Sequence, residues 1–219
     1  MYTSEDIIEK TKLFVQKELE NAEGGHDWFH ILRVYNNALL ISKNEAVDPF
    51  VVALAALLHD IADSKFYDGD ESIGPQVARN FLGQHKVDSK VITHVVNIIK
   101  HVSFKGGNDT KSDFSSLELD VVQDADRLDA IGAVGIARTF NYGGFKNRKL
   151  YDPSIPVHLQ MIKAEYKAST APTINHFYEK LLLLKDKMNT KTAQKIALAR
   201  HAFMEEFLDQ FYAEWRGEK

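Results

Sequence analysis

A chain of 219 residues is long enough to bury a substantial apolar interior in one large domain and short for two independent ones. Its 27 Lys and Arg against 31 Asp and Glu leave a formal net charge of −4, which argues against a broad basic face for holding DNA or RNA. The absence of cysteine excludes disulfides and thiolate ligation, so any metal must be held by nitrogen and oxygen.

The amino-terminal run MYTSEDIIEKTK is charged from its fifth residue and lacks the basic, then apolar, then small order of a signal peptide. Ser4 caps a first helix whose positions Ile7, Ile8, Thr11, Phe14, Val15 and Leu19 recur at three and four, and Gly24 and Gly25 end it. A second helix begins near His26 and carries Ile31, Leu32, Tyr35, Leu39 and Leu40. Asp48 and Pro49 form an N-cap and first-turn pair that opens a third helix, from Pro49 to about Ala62. That helix is apolar almost all round, which marks it as the most buried element. Its run from Phe50 to Leu58 is about half the length a membrane span requires, and the protein is read as soluble and cytoplasmic, with no membrane partner.

Further helices are predicted over roughly 74–83 and 88–102, and from about Ser116 to Phe140. A loop over 141–156 precedes helical stretches at 157–169, 172–188 and 190–215. No segment sustains the alternation of a strand, so the expected fold class is all-α. The expected organisation is a single domain over 1–219: a core over about 20–140, the loop 141–156, and carboxy-terminal helices over 157–216. The apolar surface of those last helices either closes the core or forms a homodimer.

Three segments carry chemistry. In HDWFH, His26 and His30 are four apart and share a helix face, the spacing of two zinc-protease ligands. The protease pattern needs Glu where Asp27 stands and a third ligand downstream that this chain lacks, so that reading is set aside. In LLHDIAD, Asp60 is a carboxylate at the end of an otherwise uncharged helix. It is compensated either by a divalent cation shared with His59, or by backbone amides or an Arg, with His59 then a satisfied core histidine. In QDADRLDAIG, Asp124, Asp126 and Asp129 sit on a helix otherwise small or apolar, which favours the cation.

The ordered set His30, His59, Asp60 and Asp126 in HDWFH, LLHDIAD and QDADRLDAIG resembles the HD superfamily of metal-dependent phosphohydrolases, named for its adjacent His and Asp. The resemblance covers roughly residues 20 to 140 and extends more loosely into the carboxy-terminal helices, towards a subgroup of small stand-alone members. It implies an HD-domain helical bundle with additional carboxy-terminal helices, and those four residues as metal ligands. Two imidazoles and two carboxylates suit Mn²⁺ first, with Mg²⁺, Co²⁺, Fe²⁺ or Ni²⁺ as alternatives, and leave two positions of a six-coordinate cation for water and a phosphate oxygen.

The expected activity is hydrolysis of a phosphate ester or anhydride by a metal-activated water. A small phosphorylated substrate is expected, a nucleoside phosphate or pyrophosphate bond ahead of other targets, and no nucleic-acid polymer. The rival readings are a cyclic-nucleotide-type phosphodiesterase and a regulatory module that binds metal and nucleotide without turnover. Asp63, four residues after His59, resembles the acid that orients or deprotonates the water; the alternative is a loop cap. Lys65, Lys100, His101, Arg127 and His26 are the candidate substrate contacts. Each has a plainer reading, Arg127 as a structural partner of Asp124 or Asp129 among them. His94 stands seven residues before His101 and is as readily core as ligand; were either histidine a ligand, the site would be binuclear. No GYP follows the doublet, Ser64 stands where alarmone hydrolases carry a second acid, and the chain is short for the triphosphohydrolases.

Overall fold

The structure is a computed structural model that describes residues 2–20, 27–62, 70, 72–102, 114–159 and 169–219. Every regular element among these residues is helical, so the protein is all-α. The chain divides into two compact units, Met1–Asp126 and Arg127–Lys219.

In the first unit, helix α1 (Ser4–Glu18) is capped by Thr3 rather than by Ser4. Thr3 Oγ1 accepts from the Asp6 amide at 3.1 Å while Asp6 accepts from the Thr3 amide at 2.8 Å, a reciprocal pair that satisfies two of the helix's orphan donors. Helix α2 (Trp28–Ser42) starts two residues later than His26, because Asp27 takes the N-cap. Helix α3 (Pro49–Leu58) is opened by Asp48, whose carboxylate accepts from the amides of Phe50 and Val51. Every residue from Val51 to Leu58 is buried, and α3 packs against α1, α2 and α5 (Ser89–Val102), which makes it the centre of this unit. It ends at Leu58, four residues short of the predicted limit: the Ile61 amide reaches Leu58 O, three residues back, and His59 to Ala62 form a tight turn. Helix α4 (Ile73–Gln84) packs on α5, and α6 (Leu117–Asp129) carries the chain up to and past the boundary.

The helix predicted from Ser116 to Phe140 is two helices. The amides of Ala130 and Ile131 bond to Arg127 O and Leu128 O in three-residue turns, Ile131 is extended, and Gly132 follows at φ +76°. A side chain disfavours that conformation, so the break falls at the glycine. Helix α7 (Gly132–Phe145) then runs into the segment predicted as loop. The stretch predicted helical at 172–188 is a short helix α8 (Asn175–Glu179) and a 3₁₀ segment, Leu181–Lys187. Of the helix predicted at 157–169, residues 157–159 and 169 are not helical and the rest lie outside the described residues. Helix α9 (Lys191–Trp215), capped by Thr190, packs on α7 and the 3₁₀ segment. The core of this unit is aromatic: Phe177 is fully buried, with Phe140 and Phe207 at 6.0 and 5.9 Å between ring centroids.

Candidate metal centre

Local capping logic delivers the first imidazole. His30 sits in the first turn of α2, and its amide donates to Asp27 Oδ1 at 2.9 Å, so the side chain that starts the helix also grips His30's backbone. The second comes from the end of α3. His59 lies just past that helix, and its Nδ1 donates to Ala56 O at 2.9 Å. A carbonyl only accepts, so Nδ1 carries the proton and Nε2 presents its lone pair. The two rings meet edge to face, 5.5 Å between centroids.

Around these nitrogens stand two carboxylates. Asp60 Oδ2 is 3.8 Å from His30 Nε2 and 3.7 Å from His59 Nε2, and Asp126 Oδ1 on α6 is 3.6 Å from His30 Nε2. One donor atom each from His30, His59 and Asp60 lies within 4.8 Å of the others. These separations are too long for direct hydrogen bonds. The 3.6, 3.7 and 3.8 Å separations are of the size kept by ligands of one ion, since two bonds of about 2.1 Å span at most about 4.2 Å. Two neutral nitrogens and two anionic oxygens, with no sulfur, fit a divalent first-row cation or Mg²⁺. The cluster is graded in exposure: the side chains of His30 and His59 are 3% and 2% exposed, Asp60 20% and Asp126 44%. One side is therefore closed by imidazoles and the other opens to solvent through Asp126.

The other acids of that segment are held differently. Asp124 is fully buried, and Asp129 is paired with the guanidinium of Arg138, whose Nη1 lies 2.5 Å from its carboxylate. Arg127 Nη1 donates to Lys187 O at 2.8 Å. On α5, Lys100 is exposed, and His101 is half-buried with Nδ1 donating to Asn97 O at 2.7 Å. His94 Nε2 lies 3.0 Å from Ser116 Oγ and 3.5 Å from Glu118, beside an open cleft of about 530 Å³ that Phe114, Thr93 and Asn97 also line. The cations of the segment after α7 face their own neighbours: Lys146 lies over the ring of Phe145, Arg148 over Tyr142, and Lys149 pairs with Asp152. His26, Asp63 and Lys65 lie outside the described residues.

One polar residue near the cluster was not singled out from sequence. Asn37, buried on α2, donates from Nδ2 to Ala125 O at 3.3 Å. The available signal was a lone amide among Ile31, Val34, Ala38 and Ile41 on the buried face of the helix.

The helical fold and the His, His-Asp, Asp cluster define a class, and comparison with known proteins agrees: residues 28–131 match the HD domain family model. The chain belongs to the HD superfamily. It is 37% identical over 206 residues to Bacillus subtilis YpgQ, covering 92% of this chain and 90% of that protein. The crystal structure of an HD-superfamily hydrolase from Bacillus thuringiensis superposes with a TM-score of 0.79 at 43% identity, covering 98% of this chain and 99% of that one. The crystal structure of YpgQ in complex with ADP superposes with a TM-score of 0.77 at 35% identity, covering 97% of each chain. No described helix is long and apolar enough to cross a membrane.

Proposed function

We propose that this protein is a divalent-metal-dependent phosphohydrolase that cleaves a phosphate ester or anhydride of a nucleotide with an activated water. The observation that supports it most is the convergence of His30, His59 and Asp60 at separations suited to one ion, with Asp126 beside them, 3.6 Å from His30 Nε2. These four are its ligands in this reading, with Mn²⁺ the favoured ion for a mixed nitrogen and oxygen shell. Such a cation, when bound, supplies Lewis acidity toward a phosphoryl oxygen and lowers the pKa of water into the neutral range. The protein's own groups do the rest. The Ala56 carbonyl fixes the tautomer and ring plane of His59, and the buried imidazoles exclude water from the inner side. Asp126 borders the open side, where substrate enters. Asp63 is assigned to orient or deprotonate the attacking water, and Lys65, Lys100, His101 and His26 to phosphate contact. The nucleotide assignment draws on the ADP held by YpgQ.

The test uses protein stripped with chelator, resupplied with Mn²⁺, and offered nucleoside mono-, di- and triphosphates and bis(p-nitrophenyl) phosphate, with phosphate and pyrophosphate assayed separately. Mn²⁺-dependent release from a nucleotide is expected, abolished in Asp126→Asn together with a loss in metal affinity of at least about 100-fold. Turnover of the bis ester alone would make the protein a phosphodiesterase. Tight metal binding with no turnover of any compound would make it a binding module.

A further inference from the structure

Helix α2 spends two polar residues on contacts that need explanation. At its start, Asp27 Oδ1 accepts from the backbone amide of His30 itself, the imidazole that this helix brings to the cluster. Seven residues beyond His30, Asn37 occupies a buried position where an amide is costly unless it is hydrogen-bonded. Its Nδ2 donates to Ala125 O at 3.3 Å. That carbonyl belongs to the same planar peptide unit as the amide nitrogen of Asp126, so the bond fixes the plane from which Asp126 departs. Positions seven apart lie on one helix face about two turns from each other. The same face of α2 thus presents His30 and holds the backbone of Asp126, whose carboxylate stands 3.6 Å from His30 Nε2.

We infer that α2 gauges the metal cluster through two positioning residues, Asp27 and Asn37: one anchors His30 at its amide and the other sets the backbone of Asp126 against it. This rests on the proposed metal site. A coordination shell tolerates displacements of only about 0.5 Å before affinity falls, and groups that orient ligands are worth roughly 10- to 100-fold in metal binding. Their effect is on where the ligands stand.

The experiment titrates Mn²⁺ by calorimetry into the full chain, stripped with chelator, and compares the Mn²⁺ electron paramagnetic resonance spectrum of each variant with wild type. Asp27→Ala removes the acceptor, and Asp27→Asn keeps a capping oxygen while removing the charge. Asn37→Leu keeps similar volume while removing the donors. Asp27→Ala and Asn37→Leu are expected to weaken Mn²⁺ binding about tenfold or more and to alter the spectrum, whereas Asp27→Asn stays within about twofold of wild type. Wild-type affinity in Asp27→Ala or in folded Asn37→Leu would overturn the inference. So would an equal loss in Asp27→Asn, which would assign the effect to charge instead of the cap. The Asp27 pair decides the matter even where Asn37→Leu does not fold. A wild-type protein that binds no Mn²⁺ would instead remove the metal site on which the inference rests.

Discussion

Single protons separate the roles of the histidines. His59 is fixed as the tautomer with Nδ1 protonated by its bond to a carbonyl, the form a cation requires. His176 on α8 is kept neutral by its surroundings instead: burial pushes its pKa down to about 4, and the cations of Lys180 and Arg148 push the same way. The folded chain keeps this ring neutral, whereas the unfolded chain protonates it near the ordinary value of about 6.5. The stability from this group is therefore complete above the unfolded value and falls as pH drops from about 6.5 towards 4, where the unfolded state alone binds the proton. The urea midpoint is expected to fall between pH 7.5 and 5, and to fall less in His176→Gln. Equal falls in the two proteins would assign the acid sensitivity elsewhere.

Among the elements, α3 links packing to chemistry. Leu54, Leu57 and Leu58 are fully buried, and the turn that ends this helix places His59 and Asp60. Leu57→Ala should cost about 2–5 kcal/mol of stability through lost transfer energy and the cavity left behind, measured by urea denaturation. A cost under about 1 kcal/mol would show that the α3 core is not close-packed. This helix was also the most legible in the sequence, because Asp48-Pro49 marks its start and its all-round apolar surface marks its burial. Its end was less so: the period of the apolar run continues to Ile61, while the chain tightens at Leu58 through backbone bonds that leave no compositional trace. The break between α6 and α7 was carried by Gly132, one of two glycines in the predicted helix, and only its positive φ distinguishes it from Gly135. The cluster of His30, His59 and Asp60 was legible because the order and types of these residues are specific. Asn37 was not, since its role depends on a partner 88 residues away.

At the scale of the whole molecule, residues remote in sequence meet in the first compact unit, with His30, His59, Asp60 and Asp126 all inside Met1–Asp126. An ion that binds these residues only when they are assembled stabilises the folded state by mass action. At a hundred times its dissociation constant the gain is about 2.7 kcal/mol. Mn²⁺ should therefore raise the thermal midpoint of chelator-stripped protein by several degrees, and Asp126→Asn should lose most of the shift. A midpoint indifferent to Mn²⁺ would separate this cluster from metal binding.

The most direct measurement is an anomalous difference map from a crystal of this protein grown with Mn²⁺. The account predicts one strong peak within about 2.0–2.3 Å of Nε2 of His30, Nε2 of His59 and a carboxylate oxygen of each of Asp60 and Asp126. Density for those four side chains with no anomalous peak among them, or a peak held by other residues alone, would contradict it.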